Sequence, residues 1–341
     1  MKLAVDLDEI LERSRDDFET LRGARIFVTG GTGFVGSWLL ESFVRANARL
    51  ALGARAVVLT RDPAAFAVAA AHVASDDAIE LVRGDVRDFT GAEGSYDAIV
   101  HAATPASAKV NDETPMLMVD TVVDGMRRVL ALAEGSGAIP LLLTSSGAIY
   151  GRQPPDLPLV DETFSGAPDP LDPRNAYHES KRLAELLLAI AAQTRGVRAK
   201  IARLFAFVGP YLPLDRHFAI GNFIRDAMNA ATIEIGGDGT PVRSYLYAGD
   251  MTVWLWRILA RGETGRAYNV GSERALSIRA TAEAVAACVE PAASYVVRGT
   301  PKVNAAPDRY APSTRRARTE LGLDEWTRLD EAIRRTIAWN R

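Results

Sequence analysis

The chain has 341 residues, 48% hydrophobic and 24% charged, with a formal net charge of -3. That balance supports a large core, argues against wholesale disorder, and leaves no positive field for nucleic acid or an anionic membrane. Cys288 is the only cysteine, which excludes an intramolecular disulfide or thiolate cluster, and four scattered histidines offer no metal-ligand spacing. An anionic substrate must therefore be held by a few local arginines and backbone amides, and no metal is expected.

In chain order, Leu7, Ile10, Leu11, Phe18 and Leu21 roughly fit one helical face, so residues 1–23 are predicted to form a helical extension packing on the domain or a second subunit. With no secretion signal and no membrane-length apolar run, the expected location is cytoplasmic. Strands are predicted at Arg25–Thr29, Ala56–Thr60, Ile79–Val82, Ala98–His101, Pro140–Ser145 and Ala199–Phe205. Helices are predicted at Phe34–Ala46, 64–71, Met116–Ala133 and 177–194. This alternation predicts an α/β fold, a Rossmann-type doubly wound parallel sheet covered on both faces. After Phe205, Gly and Pro become frequent and helices shorten, marking a smaller C-terminal substrate-binding lobe. The division reads as 24–205 plus roughly 244–272 for the dinucleotide-binding domain and 206–243 plus 273–341 for the lobe. Tyr245–Leu259 and Ala267–Val270 are candidates to rejoin the large sheet.

The segment RIFVTGGTGFVGS runs from a strand through Gly30, Gly31, Gly33 and Gly36 into the apolar helix WLLESFV. Glycine there permits a tight turn, close backbone approach to a pyrophosphate, and close helix–strand packing. A helix N-terminus then faces the phosphates. Gly30, Thr32, Gly33, Phe34, Val35 and Gly36 are the expected cradle for NAD or NADP. An acid ending the second strand would select NAD; here Thr60 stands in its place and Arg61 follows, which tilts towards NADP, with Asp62 still in reach of a ribose. Asp85 and Val86, then Ala102, Ala103 and Thr104, lie after the third and fourth strands, where a sheet edge meets the cofactor. Asp85 is a candidate acceptor for the adenine amino group.

Tyr177 and Lys181 are four apart in YHESK, so a helix places them on one face. Hydride transfer at an alcohol needs a group that moves the hydroxyl proton. The lysine ammonium and an oxidised nicotinamide are expected to lower the tyrosine pKa for that work. Ser145 and Ser146 end a strand about thirty residues earlier, and one of them is expected to hold the substrate oxygen.

TGGTGFVG, SSGAIYG, YHESK, RLFAFVGP, GGDGTPVRSYLYAGD and YNVGS occur in the order found in extended short-chain dehydrogenases/reductases. From Ala24 to about Trp339 the chain resembles the NAD-dependent epimerase/dehydratase family of nucleotide-sugar enzymes. The resemblance implies Tyr177 as acid/base, Lys181 as ribose ligand and pKa modifier, and Ser146 as partner of the substrate oxygen. It implies Arg243 as ligand of a nucleotide-diphosphate sugar, with Ser107, Asn222 and Arg309 as further substrate contacts. It also implies a homodimer formed through Met116–Ala133 and 177–194. Family members that dehydrate the sugar carry Asp-Glu after the Ser146 position and sugar-acid decarboxylases keep the Glu; here Gly147-Ala148 follow. The family's Asn in RxFN is Ala206, and the Asn often found in the preceding helix is Val122. The expected activity is nucleotide-sugar epimerisation through hydride transfer at C4. The alternatives are an NADPH-dependent 4-keto-sugar reductase and, further off, a 4,6-dehydratase or a non-catalytic dinucleotide sensor.

Overall fold

The structure, a computed structural model, describes residues 2–90, 92, 94–105, 108–137, 139–216, 218–301 and 306–341. Ser107 lies outside them. The elements run α1 (Ala4–Glu19), β1 (Arg25–Thr29), α2 (Phe34–Leu50), β2 (Arg55–Thr60), α3 (Pro63–Ala69), α4 (Ala71–Ala74), β3 (Ile79–Arg83), β4 (Ala98–His101), α5 (Ala108–Glu113), α6 (Pro115–Glu134), β5 (Pro140–Ser146), α7 (Ala176–Arg195) and β6 (Arg198–Leu204). They continue with β7 (Phe207–Val208), α8 (Ala219–Met228), β8 (Ile233–Ile235), β9 (Val242–Ser244), β10 (Leu246–Tyr247), α9 (Ala248–Arg261), β11 (Arg266–Val270), β12 (Ala275–Ser277), α10 (Ile278–Ala286), β13 (Tyr295–Val297), β14 (Arg309–Tyr310), α11 (Arg315–Leu321) and α12 (Leu329–Asn340).

The first of two compact units comprises Met1–Ile149, Asp169–Arg203 and Thr252–Tyr268. Its Rossmann-type sheet has the strand order β11-β6-β5-β4-β1-β2-β3, with β1 parallel to β2 and β4, β2 to β3, and β4 to β5. On one face Phe27, Ile99, Leu141 and Leu143 meet Met126 and Val129 of α6 and Ala184 and Leu188 of α7. On the other, Phe18 of α1 and Phe43 of α2 pack on Trp256 of α9, whose indole N–H donates to Ser42 Oγ at 2.9 Å. Each large side chain buried this way stabilises the fold by about 1.5–3 kcal/mol. The apolar face of α1 is buried, and its Asp17, fully shielded, accepts from Arg257 Nε and Arg261 Nε at 2.5 Å each.

The second unit comprises Tyr150–Pro168, Leu204–Met251 and Asn269–Arg341. It holds three small sheets, β10-β7, β12-β9-β14 and β13-β8. Asn269, completely buried, ties it together: its amide donates to the carbonyls of Val160 and Ser313, its Oδ1 accepts from Tyr150 Oη, and its N–H donates to Glu162.

These bounds differ from the sequence division in two places. Tyr150–Pro168 belongs to the second unit because the Tyr150 ring packs on Phe164 and Phe205. Of 244–272, only Thr252–Tyr268 joins the first unit, and Ala248–Arg261 is the helix α9, apolar nearly all round, which does not enter the sheet. Arg266–Val270 does add a strand to the large sheet.

Candidate active site

The loop after β1 is shaped by glycine. Gly30 has φ +71°, and a side chain there would meet the Ala102 carbonyl carbon at 2.5 Å. At Gly36 a Cβ would strike the Gly30 oxygen at 2.2 Å, so α2 rises directly against the turn. Gly33 differs: an added Cβ would meet only the Gly30 oxygen, at 3.5 Å, leaving open space in front of the α2 N-terminus, which has no side-chain cap. Next to it in the chain, Thr32 is exposed and Phe34 and Val35 are half-buried. A pyrophosphate fits such a cradle, open at Gly33 and closed behind it.

At the end of β2, Asp62 accepts the Ala65 N–H at 3.0 Å and so caps α3. Arg61 is exposed and its charge bears on Asp85. Asp85 itself is gripped by Arg87 through Nε at 2.8 Å and Nη2 at 3.1 Å, and that hydrogen bonding holds its carboxyl below the ordinary range. The expected acceptor for an adenine amino group is thus already engaged by an arginine. Val86 is buried against Gly125 of α6, where a side chain would crowd it at 3.2 Å.

Tyr177, Lys181 and Ser146 come together. The Ser146 side chain lies close enough to the Tyr177 hydroxyl to favour its ionised form. Lys181 Nζ donates to Thr104 Oγ1 and to the Thr144 carbonyl, both at 2.8 Å. Burial pulls Lys181 down to about 8, with Glu185 opposing the fall. Burial also raises the Tyr177 pKa, Ser146 pulling the other way. Without a dinucleotide bound, losing water from around a phenolate dominates at Tyr177; the expected lowering by Lys181 and an oxidised nicotinamide concerns the loaded enzyme. His101 is buried behind Lys181, its Nδ1 2.8 Å from Thr29 Oγ1. Burial, aided by the Lys181 charge, lowers it to about 3, so it is neutral. Thr29 Oγ1 also accepts the Ala103 N–H at 3.2 Å, which ties His101 to the end of β1.

Other residues emerge only in three dimensions. Asn111 of α5 accepts the Tyr177 N–H through Oδ1 at 3.0 Å and donates to the Arg174 carbonyl at 2.9 Å, capping α7 from outside it. Glu185 accepts from Ser145 Oγ at 2.5 Å and from Arg203. Its spacing of four from Lys181 was a signal within the same helix; nothing in the sequence marked Asn111.

In the second unit, Arg243 donates through Nη1 to the Val242 carbonyl at 2.8 Å and through Nη2 to Asp308 at 2.7 Å. Arg309 lies beside it on β14, in register with Val242 of β9. Asn222 sits on α8 and accepts weakly from Arg225 Nη1 at 3.4 Å. Among the described residues no cluster of His, Cys, Asp or Glu could hold a metal, and no helix is long and apolar enough to cross a membrane.

A parallel sheet with a glycine cradle at its first turn and a Ser-Tyr-Lys cluster beyond it defines an extended short-chain dehydrogenase/reductase that uses NAD or NADP. Residues 26–271 match the NAD dependent epimerase/dehydratase family, and the chain belongs to it. It is 30% identical to UDP-glucuronic acid decarboxylase 1 of Arabidopsis thaliana over 92% of this chain and 69% of that protein. Among solved structures it is similar to dTDP-glucose 4,6-dehydratase of Streptomyces venezuelae, bound to NAD (TM-score 0.75, 25% identity, 92% of this chain, 96% of that one). It is likewise similar to UDP-glucose 4-epimerase of Thermus thermophilus in complex with NAD (TM-score 0.74, 25% identity, 92% and 98%). The chain is therefore an enzyme of a family of nucleotide-sugar epimerases, dehydratases and decarboxylases.

Proposed function

We propose that this enzyme is a nucleotide-sugar epimerase that inverts the sugar at C4 through a keto intermediate. The observation that carries the reading is the Ser146–Tyr177–Lys181 cluster continuing directly into Gly147 and Ala148, which have no group to move a second proton. Gly30, Thr32, Gly33, Phe34, Val35 and Gly36 hold the pyrophosphate. Asp85, Val86 and Arg61 line the adenosine end; Ala102, Ala103, Thr104, Tyr177 and Lys181 line the nicotinamide end. A nicotinamide dinucleotide bound there supplies a hydride acceptor and donor, and in its oxidised form a positive charge. Ser146 orients the C4 oxygen. Tyr177 takes the C4 hydroxyl proton and returns it to the keto oxygen, while Lys181 holds the ribose hydroxyls and supports the phenolate. Arg243, with Asn222, Arg309 and Ser107, contacts the nucleotide sugar, and Asp308 pre-orients the Arg243 guanidinium for a diphosphate.

The second reading is an NADPH-dependent 4-keto-sugar reductase. Thr60 in place of a strand-ending acid, followed by an exposed Arg61, favours NADP and hence this reading. The enzyme works as a homodimer built on α6 and α7, whose outer faces expose Met116, Leu117, Leu183, Leu186 and Ile190.

Mass spectrometry of molecules retained by the purified protein, then turnover with UDP-, dTDP-, CDP- and GDP-sugars, separates the readings. A 4-epimer formed without added cofactor is the expected result. Stoichiometric NADPH consumption with a 4-keto sugar establishes the reductase. Neither reaction with any member of the panel overturns both.

A further inference from the structure

Three consecutive residues at the end of β5 meet three side chains spaced four apart on α7. The Thr144 carbonyl accepts from Lys181, the Ser145 hydroxyl donates to Glu185, and the Ser146 side chain lies close to the Tyr177 hydroxyl. Positions 177, 181 and 185 form one stripe along the helix. Glu185 is the member that proton transfer at Tyr177 does not use. It is 12% exposed, and Arg203 of β6, 14% exposed, reaches it with Nε at 3.1 Å from Oε1 and Nη2 at 2.8 Å from Oε2. Burying such a pair costs solvation that the attraction only partly offsets, so stability alone is a poor reason for it.

We propose that Glu185, clamped between Ser145 and Arg203, is a positioning residue that acts through Lys181, keeping the lysine charged and the end of β5 fixed against the catalytic helix. The titratable and charged groups around Lys181 are Tyr177 and Glu185 on α7, His101 on β4 and Arg203 on β6. Tyr177 and His101 are neutral in the folded chain. Glu185 is thus the anion working against burial at Lys181, and its carboxylate is shared with the Arg203 guanidinium at 2.8 Å. The inference rests on the functional reading of Lys181, but its test needs neither substrate nor cofactor.

The chain has five lysines, so the Cε signals of protein labelled with ¹³C-lysine can be followed by NMR as pH is raised, with Lys181→Met identifying the Lys181 signal. Glu185→Gln keeps the shape and the acceptor for Ser145 and removes only the charge. It should move the Lys181 midpoint down by about one pH unit. Arg203→Gln, which leaves the Glu185 charge unshared, should move it up, and the double variant, lacking that charge, should fall with Glu185→Gln. A folded Glu185→Gln protein whose Lys181 midpoint stays within about 0.2 unit of the parent overturns the proposal. A merely structural role would alter the melting temperature and leave the midpoint in place. Should Arg203→Gln not fold, the Glu185→Gln midpoint alone decides. Absence of turnover on every nucleotide sugar would overturn the functional reading without touching this result.

Discussion

Replacing Gly33 and Gly36 separately by alanine distinguishes a cofactor cradle from a plain tight turn. At Gly33 the backbone is extended (φ -90°, ψ -179°), and the new Cβ would touch only the Gly30 oxygen, at 3.5 Å. Alanine gains about 0.4–1 kcal/mol by restricting the unfolded chain. It loses a comparable amount as a poorer helix N-cap than glycine. The folded protein should therefore keep its stability to within about 1 kcal/mol. The methyl group nevertheless fills the space in front of the α2 N-terminus where the pyrophosphate belongs. Displacing one charge-assisted hydrogen bond costs about 1.5–3 kcal/mol, so the affinity for NAD and NADP should fall about 10- to 150-fold. At Gly36 the Cβ would lie 2.2 Å from the Gly30 oxygen and 2.4 Å from Gly31 Cα, and backbone must move. That variant should lose about 1–3 kcal/mol or more of stability. Urea unfolding reads the first quantity and tryptophan-fluorescence titration with each dinucleotide the second. Unchanged dinucleotide affinity in a folded Gly33→Ala protein would refute the cradle.

Tyr177→Phe should cut turnover by a factor of about 10²–10⁴ and leave dinucleotide affinity nearly intact, because the ring still packs while the proton carrier is gone; full activity would sink the assigned role. Arg61→Ala should weaken NADP binding with little effect on NAD, and a strong NAD preference in the parent protein that survives the substitution would refute the arginine's assignment to the 2′-phosphate. His101 titrates at about 3 in the folded chain against 6.5 in the unfolded one. The unfolded state therefore binds more protons throughout that window, and stability falls as pH drops from 6.5 towards 3. Between pH 7 and pH 5 the loss should be about 2 kcal/mol in urea unfolding. A His101→Gln variant should show less of it, and an equal loss in that variant would assign the effect elsewhere.

The strands, the glycine turn and the Tyr177–Lys181 pair were legible because each is local: an apolar run, a glycine spacing, a helical repeat. Lengths came out slightly short, as for α2, which runs to Leu50 rather than Ala46, since the last turn of a helix carries little apolar pattern. What stayed hidden depends on partners far along the chain. Asn111 and Tyr177 are 66 residues apart, and Tyr150 and Asn269 are 119 apart. Asp62 reads as a ribose ligand by position, and only the geometry of α3 reveals it as a cap. The burial that raises Tyr177 in the cofactor-free chain is likewise a feature that a sequence does not display.

That no elimination step takes place is a prediction drawn from where the carboxylates are. Removing water across C5 and C6 of a keto-sugar needs a base for the C5 proton and an acid for the departing hydroxyl. The residues after Ser146, at the start of a short 3-10 turn, are Gly147 and Ala148, and the Ala148 N–H is turned back onto Ser146 Oγ at 3.1 Å. On α7, Glu179 lies 3.5 Å from Arg182, and Glu185 is held by Ser145 and Arg203. In the second unit, Asp161 accepts from the Thr163 N–H and hydroxyl, which hold its carboxyl below the ordinary range and make it a poor base. Glu162 is buried, accepting the Asn269 N–H at 2.8 Å and lying 3.7 Å from Arg316. Each of these carboxylates is thus bound to a structural partner, and freeing Glu185 or Glu162 would leave a buried donor or guanidinium unpaired, at a cost of about 1–3 kcal/mol or more. Incubation with dTDP-, CDP-, UDP- and GDP-hexoses should therefore give none of the 4-keto-6-deoxy product that absorbs ultraviolet light in alkali. By the same reasoning UDP-glucuronic acid should release no carbon dioxide, although a decarboxylase is among the relatives. Steady formation of the keto-deoxy sugar from any hexose, or of a pentose from the uronic acid, would show that a carboxylate outside this set, or one of these released from its partner, performs the chemistry.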